Sequence, residues 1–207
     1  MRILIVGATG ALGQEAVARG LARGHEVAAL VRESGRAAFP DTVEVVPGDV
    51  LDRSSMIGAV RGRDAVICAL GTPSPRRATT LLEEGTRNIL AAMDEERVRR
   101  FVCVTLLGTG ASRANASVFY RGVILRVLSP MLPDKERQEQ VVCASGLDWV
   151  LVRPPRFVTG KARGDLRVLR EGEHGRLGHV VRADLAKFLV DCVSDDSYVG
   201  EAVAVGS

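Results

Sequence analysis

Three glycines, Gly7, Gly10 and Gly13, fall inside one seven-residue window directly behind the apolar run "RILIV" (2–6). A buried strand that passes through so much bare backbone into a helical pattern has few folds open to it. In "GATGALG" the spacing is G-x-x-G-x-x-G, and its place between strand and helix makes it a candidate dinucleotide turn. Gly7 suits the tight turn, Gly10 lets a pyrophosphate approach without a Cβ in the way, and Gly13 lets the helix lie close to the strand. The backbone of Ala8, Thr9, Ala11 and Leu12 completes the expected cradle. The helix N-terminus adds unpaired N–H groups and partial positive charge. No Gly-Lys-Ser/Thr follows, which excludes a P-loop.

Beyond this window, short apolar runs alternate with helical patterns. Strands are expected at 2–6, 26–31, 43–49, 64–71, 99–108, 148–154 and 201–206. Helices are expected at 11–24, 53–62, 79–97, 133–146 and 182–195. Strands that are apolar throughout and alternate with helices imply a parallel sheet covered on both faces. The expected fold is therefore α/β, a doubly wound parallel sheet in three α/β/α layers. At 207 residues the chain is read as a single domain, 1–207. Two segments depart from the alternation, 108–132 and the Gly- and Arg-rich 155–181. Both are assigned to the substrate side, since ligands bind at the carboxyl ends of such strands.

Composition narrows the function classes. Hydrophobic residues make up 46% and charged residues 26%, with a formal charge of only +3, so no dense basic face for nucleic acid is expected. The four cysteines sit singly in apolar runs and are read as buried small hydrophobes. The three histidines lack metal-ligand spacing, so no metal site is expected. No apolar run reaches the ~18 residues of a membrane span, and the chain enters its first strand without a leader-like segment. The expectation is a cytoplasmic protein with a small-molecule substrate, no membrane or nucleic-acid partner, working as monomer or homodimer. The apolar stretch 118–132 is read as either a dimer helix or a lid.

The end of the second strand chooses between cofactors. An acidic residue there would hold a ribose 2′-hydroxyl, but the chain reads "LVRESGR", with Arg32 and Arg36. Guanidinium groups suit a 2′-phosphate, so NADP(H) is preferred over NAD(H). Asp49 and Val50 in "GDVLD" form the expected adenine rim. Ala69, Leu70, Gly71 and Thr72 in "ALGT" are placed near the nicotinamide ribose and phosphates, with an ordinary strand-to-loop turn as the alternative for Gly71.

The stretches "GATGALG", "LVRESGR", "GDVLD", "LGT", "EGTRNILAAM", "SGLDWVLVRPP" and "RADLAKFLVDCV" resemble the atypical short-chain dehydrogenases/reductases. The nearest resemblance is to the small NAD(P)H-binding proteins of the biliverdin reductase B (flavin reductase) type and to NmrA-like proteins. The resemblance implies a Rossmann-type fold and hydride transfer from NADP(H). It also implies contacts from Pro154 and Pro155 at the nicotinamide edge.

Against that pattern, the catalytic groups are incomplete. Leu106 stands where the family's Ser falls, leaving Thr105 as the nearest hydroxyl. Lys135 is a candidate for the lysine of the Tyr-x-x-x-Lys pair, but Met131 stands four residues earlier. Where relatives that reduce biliverdin carry a His after the double proline, this chain has Arg156, which binds anions but is a poor proton donor. Thr105, Arg156 and Lys135 are the candidate catalytic residues, and Thr105 is also read as a cofactor-binding hydroxyl toward the nicotinamide side or the ligand, with simple strand-end satisfaction as the alternative. Leu106 and Leu107 suggest an apolar platform, with strand core as the alternative for Leu107. Glu136 and Glu139 read as a solvated helical face, and Asp184 as a helix-dipole partner. The expected function is an NADPH-dependent oxidoreductase acting on a small or planar apolar acceptor. The alternatives are a non-catalytic NADP(H) sensor and a redox-neutral isomerase or cyclase.

Overall fold

A computed structural model of the chain describes residues 1–32, 38–72, 77–115, 122 and 125–207. Along the chain run β1 (Arg2–Val6), α1 (Ala11–Ala22), β2 (Glu26–Val31), β3 (Glu44–Pro47), α2 (Arg53–Val60), β4 (Ala65–Cys68), α3 (Leu81–Glu95) and β5 (Arg100–Val104). A 3-10 turn at Gly110–Asn115 and the single-turn α4 (Leu125–Val127) lead to α5 (Leu132–Cys143). The chain closes with β6 (Asp148–Arg153), β7 (Arg156–Val158), β8 (Arg167–Leu169), β9 (His179–Val181), α6 (Arg182–Asp191) and β10 (Glu201–Gly206).

Eight strands form one sheet in the order β3-β2-β1-β4-β5-β6-β10-β8, and β7 pairs with β9 in a separate two-stranded ribbon. Every pairing in the large sheet is parallel except that of β10 with β8. Two elements of 155–181 were not foreseen: the antiparallel edge strand β8 and the β7–β9 ribbon. Each strand is only three residues long, too short for a period-2 signal to stand out among glycines and arginines.

Alternation along each strand divides the core in two. Ile3, Ile5, Val150, Val152, Val203 and Val205 face α1 and α6, while Leu4, Val6, Cys68, Phe101, Cys103 and Leu151 face α2, α3 and α5. Burial on both faces explains why the strands read as unbroken apolar runs. Cys68, Cys103 and Cys192 are buried as expected; Cys143 is exposed.

Helix α5 overturns one reading. Glu136 is exposed, but Glu139 is 6% exposed and is buried with Asp134, Lys135 and Gln138 on the side turned to the sheet and α3. The helix buries polar groups because polar partners wait for them, so no apolar stripe marks the inner face. Asp134 accepts the Leu82 and Glu83 N–H groups at 3.1 and 2.9 Å, capping α3 from across the chain. Gln138 donates to Thr86 Oγ1 at 2.9 Å. Asp184 also does more than face its helix dipole: it is buried and accepts the Arg163 and Gly164 N–H groups, pinning that loop.

Among the described residues, no helix is long and apolar enough to cross a membrane, and no cluster of His, Cys, Asp and Glu could hold a metal ion.

Candidate cofactor and active site

Strand order reverses between β1 and β4, and in sheets of this kind the ligand crevice opens outside the carboxyl ends of the strands at that point. The glycine window stands there. Gly7 has φ +80°, and a Cβ on it would lie 2.6 Å from the Ala69 carbonyl oxygen at the exit of β4. A Cβ on Gly13 would lie 2.2 Å from the Gly7 oxygen. These two glycines are demanded by the fold itself.

Gly71 is not, and Gly10 is so only in part. A Cβ on Gly10 would meet only the Gly7 oxygen, at 3.3 Å, and one on Gly71 would meet nothing within 4 Å. Gly10 is the N-cap of α1, with extended backbone and no side-chain cap, and no acidic residue occupies the first turn of that helix. No carboxylate in the helix's own first turn compensates the positive partial charge of this open end. Bare backbone at a helix end left uncapped fits the diphosphate of a dinucleotide.

Around this cradle the other expected residues take varied positions. Ala8 is fully buried, whereas Thr9 and Ala11 are exposed and Leu12 half-buried, packed against the α1-side core. Arg32 is exposed directly after β2; Arg36 lies outside the described residues. Asp49 is half-buried, and its Oδ1 accepts the Leu51 N–H at 3.0 Å, shaping its own turn. Val50 is 6% exposed in the α2/α3-side core, close under Gly85, so its side chain offers little open surface. Ala69, Leu70 and Thr72 are half-buried and Gly71 exposed at the mouth of β4. Pro154 and Pro155 are buried after β6, and the Pro154 carbonyl accepts the Leu107 N–H at 2.9 Å.

Of the three candidate catalytic residues, Lys135 and Thr105 meet at the end of β5, and among the described residues neither shares a hydrogen bond with Arg156. Arg156 is exposed at the start of β7, in register with His179. Lys135 is buried, and its Nζ donates to the Val104 carbonyl and to Gln138 Oε1, each at 3.0 Å. Burial pulls its pKa below the usual lysine range, offset in part by the neighbouring Cys103, Cys68, Glu139 and Asp134. Thr105 is 5% exposed, and its Oγ1 lies 2.6 Å from Glu139 Oε1. Leu107 is wholly buried with Leu125, Leu169, Leu177 and Ala204, which decides its alternative in favour of core; Leu106 is half-buried beside them. Of the stretch 118–132, the part 118–121 and 123–124 lies outside the described residues, and the dimer-or-lid reading lies there with it.

Reading the residues by type missed the group that joins these pieces. Glu139 and Arg153 form a buried ion pair, with Arg153 Nε to Oε1 at 3.0 Å and Nη2 to Oε2 at 2.7 Å. Thr109 Oγ1 also reaches Oε1, at 2.6 Å. The available signal was Arg153 itself, an arginine at the end of an otherwise apolar strand, which needs a buried carboxylate to be stable there.

Comparison with known proteins decides the family. A model of an NAD(P)H-binding family matches residues 7–196, nearly the whole chain. The chain belongs to this NAD(P)H-binding family. Among solved structures similar to this NAD(P)H-binding protein is a short-chain dehydrogenase/reductase from Veillonella parvula in complex with NADP. Its TM-score is 0.85 at 17% identity, covering 100% of this chain and 94% of that one. ChuY from Escherichia coli O157:H7, described as an anaerobilin reductase, superposes with a TM-score of 0.79 at 21% identity, covering 100% of this chain and 97% of its own. At those identities the likeness is one of fold. Among curated relatives, the photosystem II assembly factor Ycf39 of Synechocystis is 28% identical over 95% of this chain and 60% of its own length. The (4-alkanoyl-5-oxo-2,5-dihydrofuran-3-yl)methyl phosphate reductase of Streptomyces griseus is 30% identical over 98% of this chain and 62% of its own length. The chain thus spans under two thirds of these relatives.

Proposed function

We propose that this NAD(P)H-binding protein is an NADPH-dependent oxidoreductase that delivers hydride to a small or planar apolar acceptor of flavin, quinone or carbonyl type. One observation carries the cofactor half: Gly10 is bare where a Cβ would crowd the Gly7 carbonyl oxygen alone, at 3.3 Å, and Gly71 is bare where packing leaves room for a side chain. The first of them stands at an uncapped helix end that suits a diphosphate. Exposed Arg32 after β2 supports the preference for a 2′-phosphate, as a charge-assisted partner. The reductase names of the Streptomyces griseus relative and of ChuY support the redox half.

When bound, the dihydronicotinamide supplies the hydride, and the chain's own residues orient it and shape the acceptor's surroundings. Half-buried Leu106 offers an apolar wall beside Thr105. None of Thr105, Lys135 and Arg156 offers a convergent acid, which favours acceptors able to take their proton from water. Titration calorimetry with NADPH and NADH, followed by an acceptor panel under steady-state conditions, tests the proposal. Binding of NADPH with turnover of a flavin or quinone supports it; no heat with either nucleotide overturns it.

The commitment of Thr105 and Lys135 to internal hydrogen bonds also favours a second reading, a sensor that binds NADP(H) without turning over. The Synechocystis relative, named for assembly and not for catalysis, fits that reading. Tight NADPH binding with no turnover on any acceptor, and a protein partner retained in only one cofactor state, would select it over the first.

A further inference from the structure

We propose that Glu139 is the positioning residue of this crevice, and that it makes Thr105 an obligate hydrogen-bond acceptor toward the nicotinamide end of the cofactor. The inference rests on the NAD(P)H reading above and adds a residue that no part of that reading uses.

The geometry is a clamp around the exit of β5. Thr105 directly follows that strand, Thr109 follows the two leucines, Glu139 lies two turns into α5, and Arg153 ends β6. All four are buried, at 5%, 0%, 6% and 7% exposure. Glu139 Oε1 receives three donors, the hydroxyls of Thr105 and Thr109 at 2.6 Å each and Arg153 Nε at 3.0 Å, while Oε2 receives Arg153 Nη2 at 2.7 Å. The single Thr109 proton is shared between Oε1 and the Leu106 carbonyl, 2.8 Å away, and the Leu107 N–H reaches Pro154 O at 2.9 Å. The segment carrying Leu106 is therefore tied at both ends to one carboxylate and in the middle to the strand alongside.

Proton counting gives the consequence. A threonine hydroxyl has one proton and two lone pairs, and a carboxylate only accepts. With the Glu139 carboxylate paired bidentately with Arg153, the Thr105 proton points at Oε1. What remains of the hydroxyl is its lone pairs. A ligand atom meeting Thr105 must bring its own hydrogen, as the amide N–H of a carboxamide does. Thr105 itself supplies no proton to a reduced acceptor.

Replacing the carboxylate by an amide reverses this. In Glu139→Gln with the oxygen kept on Arg153 Nη2, the NH2 takes the Oε1 position and faces both threonines as a donor at the cost of the Arg153 Nε bond, so the Thr105 proton must turn elsewhere. Thr105→Val removes the hydroxyl at nearly constant volume, and Thr105→Ser keeps it.

The test is calorimetry on the full chain with two probes, NADPH and 2′-phospho-ADP-ribose, which lacks the nicotinamide. The expected result is that Glu139→Gln and Thr105→Val each weaken NADPH by about tenfold, the scale of one lost hydrogen bond. Both should leave the nicotinamide-free probe within about twofold, and Thr105→Ser should stay close to the parent. Should Glu139→Gln fail to fold, the Val and Ser variants decide alone. If the parent binds both probes and the variants shift both equally or neither, the inference is overturned while the cofactor reading stands. If the parent binds neither probe, the cofactor reading fails and takes the inference with it.

Discussion

Gly13 sits so close to Gly7 that a Cβ on the first would stand 2.2 Å from the carbonyl oxygen of the second. No side-chain adjustment relieves that contact, because the obstacle is backbone. Helix α1 is thereby laid directly on the turn that leaves β1, and its N-terminus is aimed across the mouth of β4. The same contact sorts the glycines into those the fold needs and those it does not, which makes them separable by experiment.

Gly13→Ala should destabilise the protein by at least the ~1–3 kcal/mol typical of overpacking, since the helix must lift off the strand. Gly71→Ala should leave stability within ~0.5 kcal/mol, the usual range for an open surface position, and still weaken NADPH binding. Denaturant melts and calorimetry on both variants check the pair. An equal loss of stability in both would contradict the distinction.

Arg32→Ala should lower affinity for NADPH by about tenfold or more and leave NADH nearly unchanged, since a charge-assisted contact to phosphate exceeds a neutral hydrogen bond. The ratio of the two dissociation constants is the readout, and it should fall further at low salt than at high salt, where screening already weakens the contact. An unchanged ratio would remove Arg32 from cofactor selection.

The two leucines after β5 should behave differently. Leu107→Ala is expected to cost ~2–5 kcal/mol, the range for deleting a fully buried leucine, because it opens a cavity among Leu125, Leu169 and Leu177. Leu106→Ala, half-buried, should cost less stability and instead change KM for the acceptor. Thermal melts and an acceptor series separate the two effects.

Glu44 gives an acid-side prediction. Hydrogen bonds from the Arg63 guanidinium hold its carboxyl below the ordinary value of 4.5. A carboxylate with a depressed folded-state pKa adds stability above its unfolded value, and that contribution is lost as pH falls through the folded one. Glu44 is well exposed, so solvent screening limits the pair to roughly a few tenths of a kcal/mol. Arg63→Met should therefore lower Tm slightly at pH 6 and show a shallower fall between pH 5 and 3 than the parent. Parallel slopes would show that the pair carries no pH dependence.

How the sequence spoke differs from place to place in the molecule. The strands of the parallel core were legible because burial on both faces leaves continuous apolar runs, and the turn at Gly7–Gly13 because its glycines have steric jobs. Helix α5 was legible as a helix but not as to its inner face. Glu139 looks like part of a solvated face, and Asp134 and Gln138 carry no signal of burial, unless one knows that Thr105, Arg153, Thr86 and the start of α3 lie opposite. Polar burial depends on partners distant in the chain, and periodicity carries no word of them. The strands of 155–181 escaped for a different reason: three-residue elements are defined by the neighbours they join, not by their own pattern.

The position of β10 has a consequence for how the molecule is made. It lies between β6 and β8, parallel to one and antiparallel to the other, and among the described residues β8 pairs with no other strand. While the polypeptide is still emerging from the ribosome, the far side of β6 stands unpaired and Arg167–Leu169 has nothing to join. The sheet can finish only when Glu201–Gly206 slides in as its penultimate member, so a nascent chain cut short before that point would carry an open, apolar β-edge inviting aggregation.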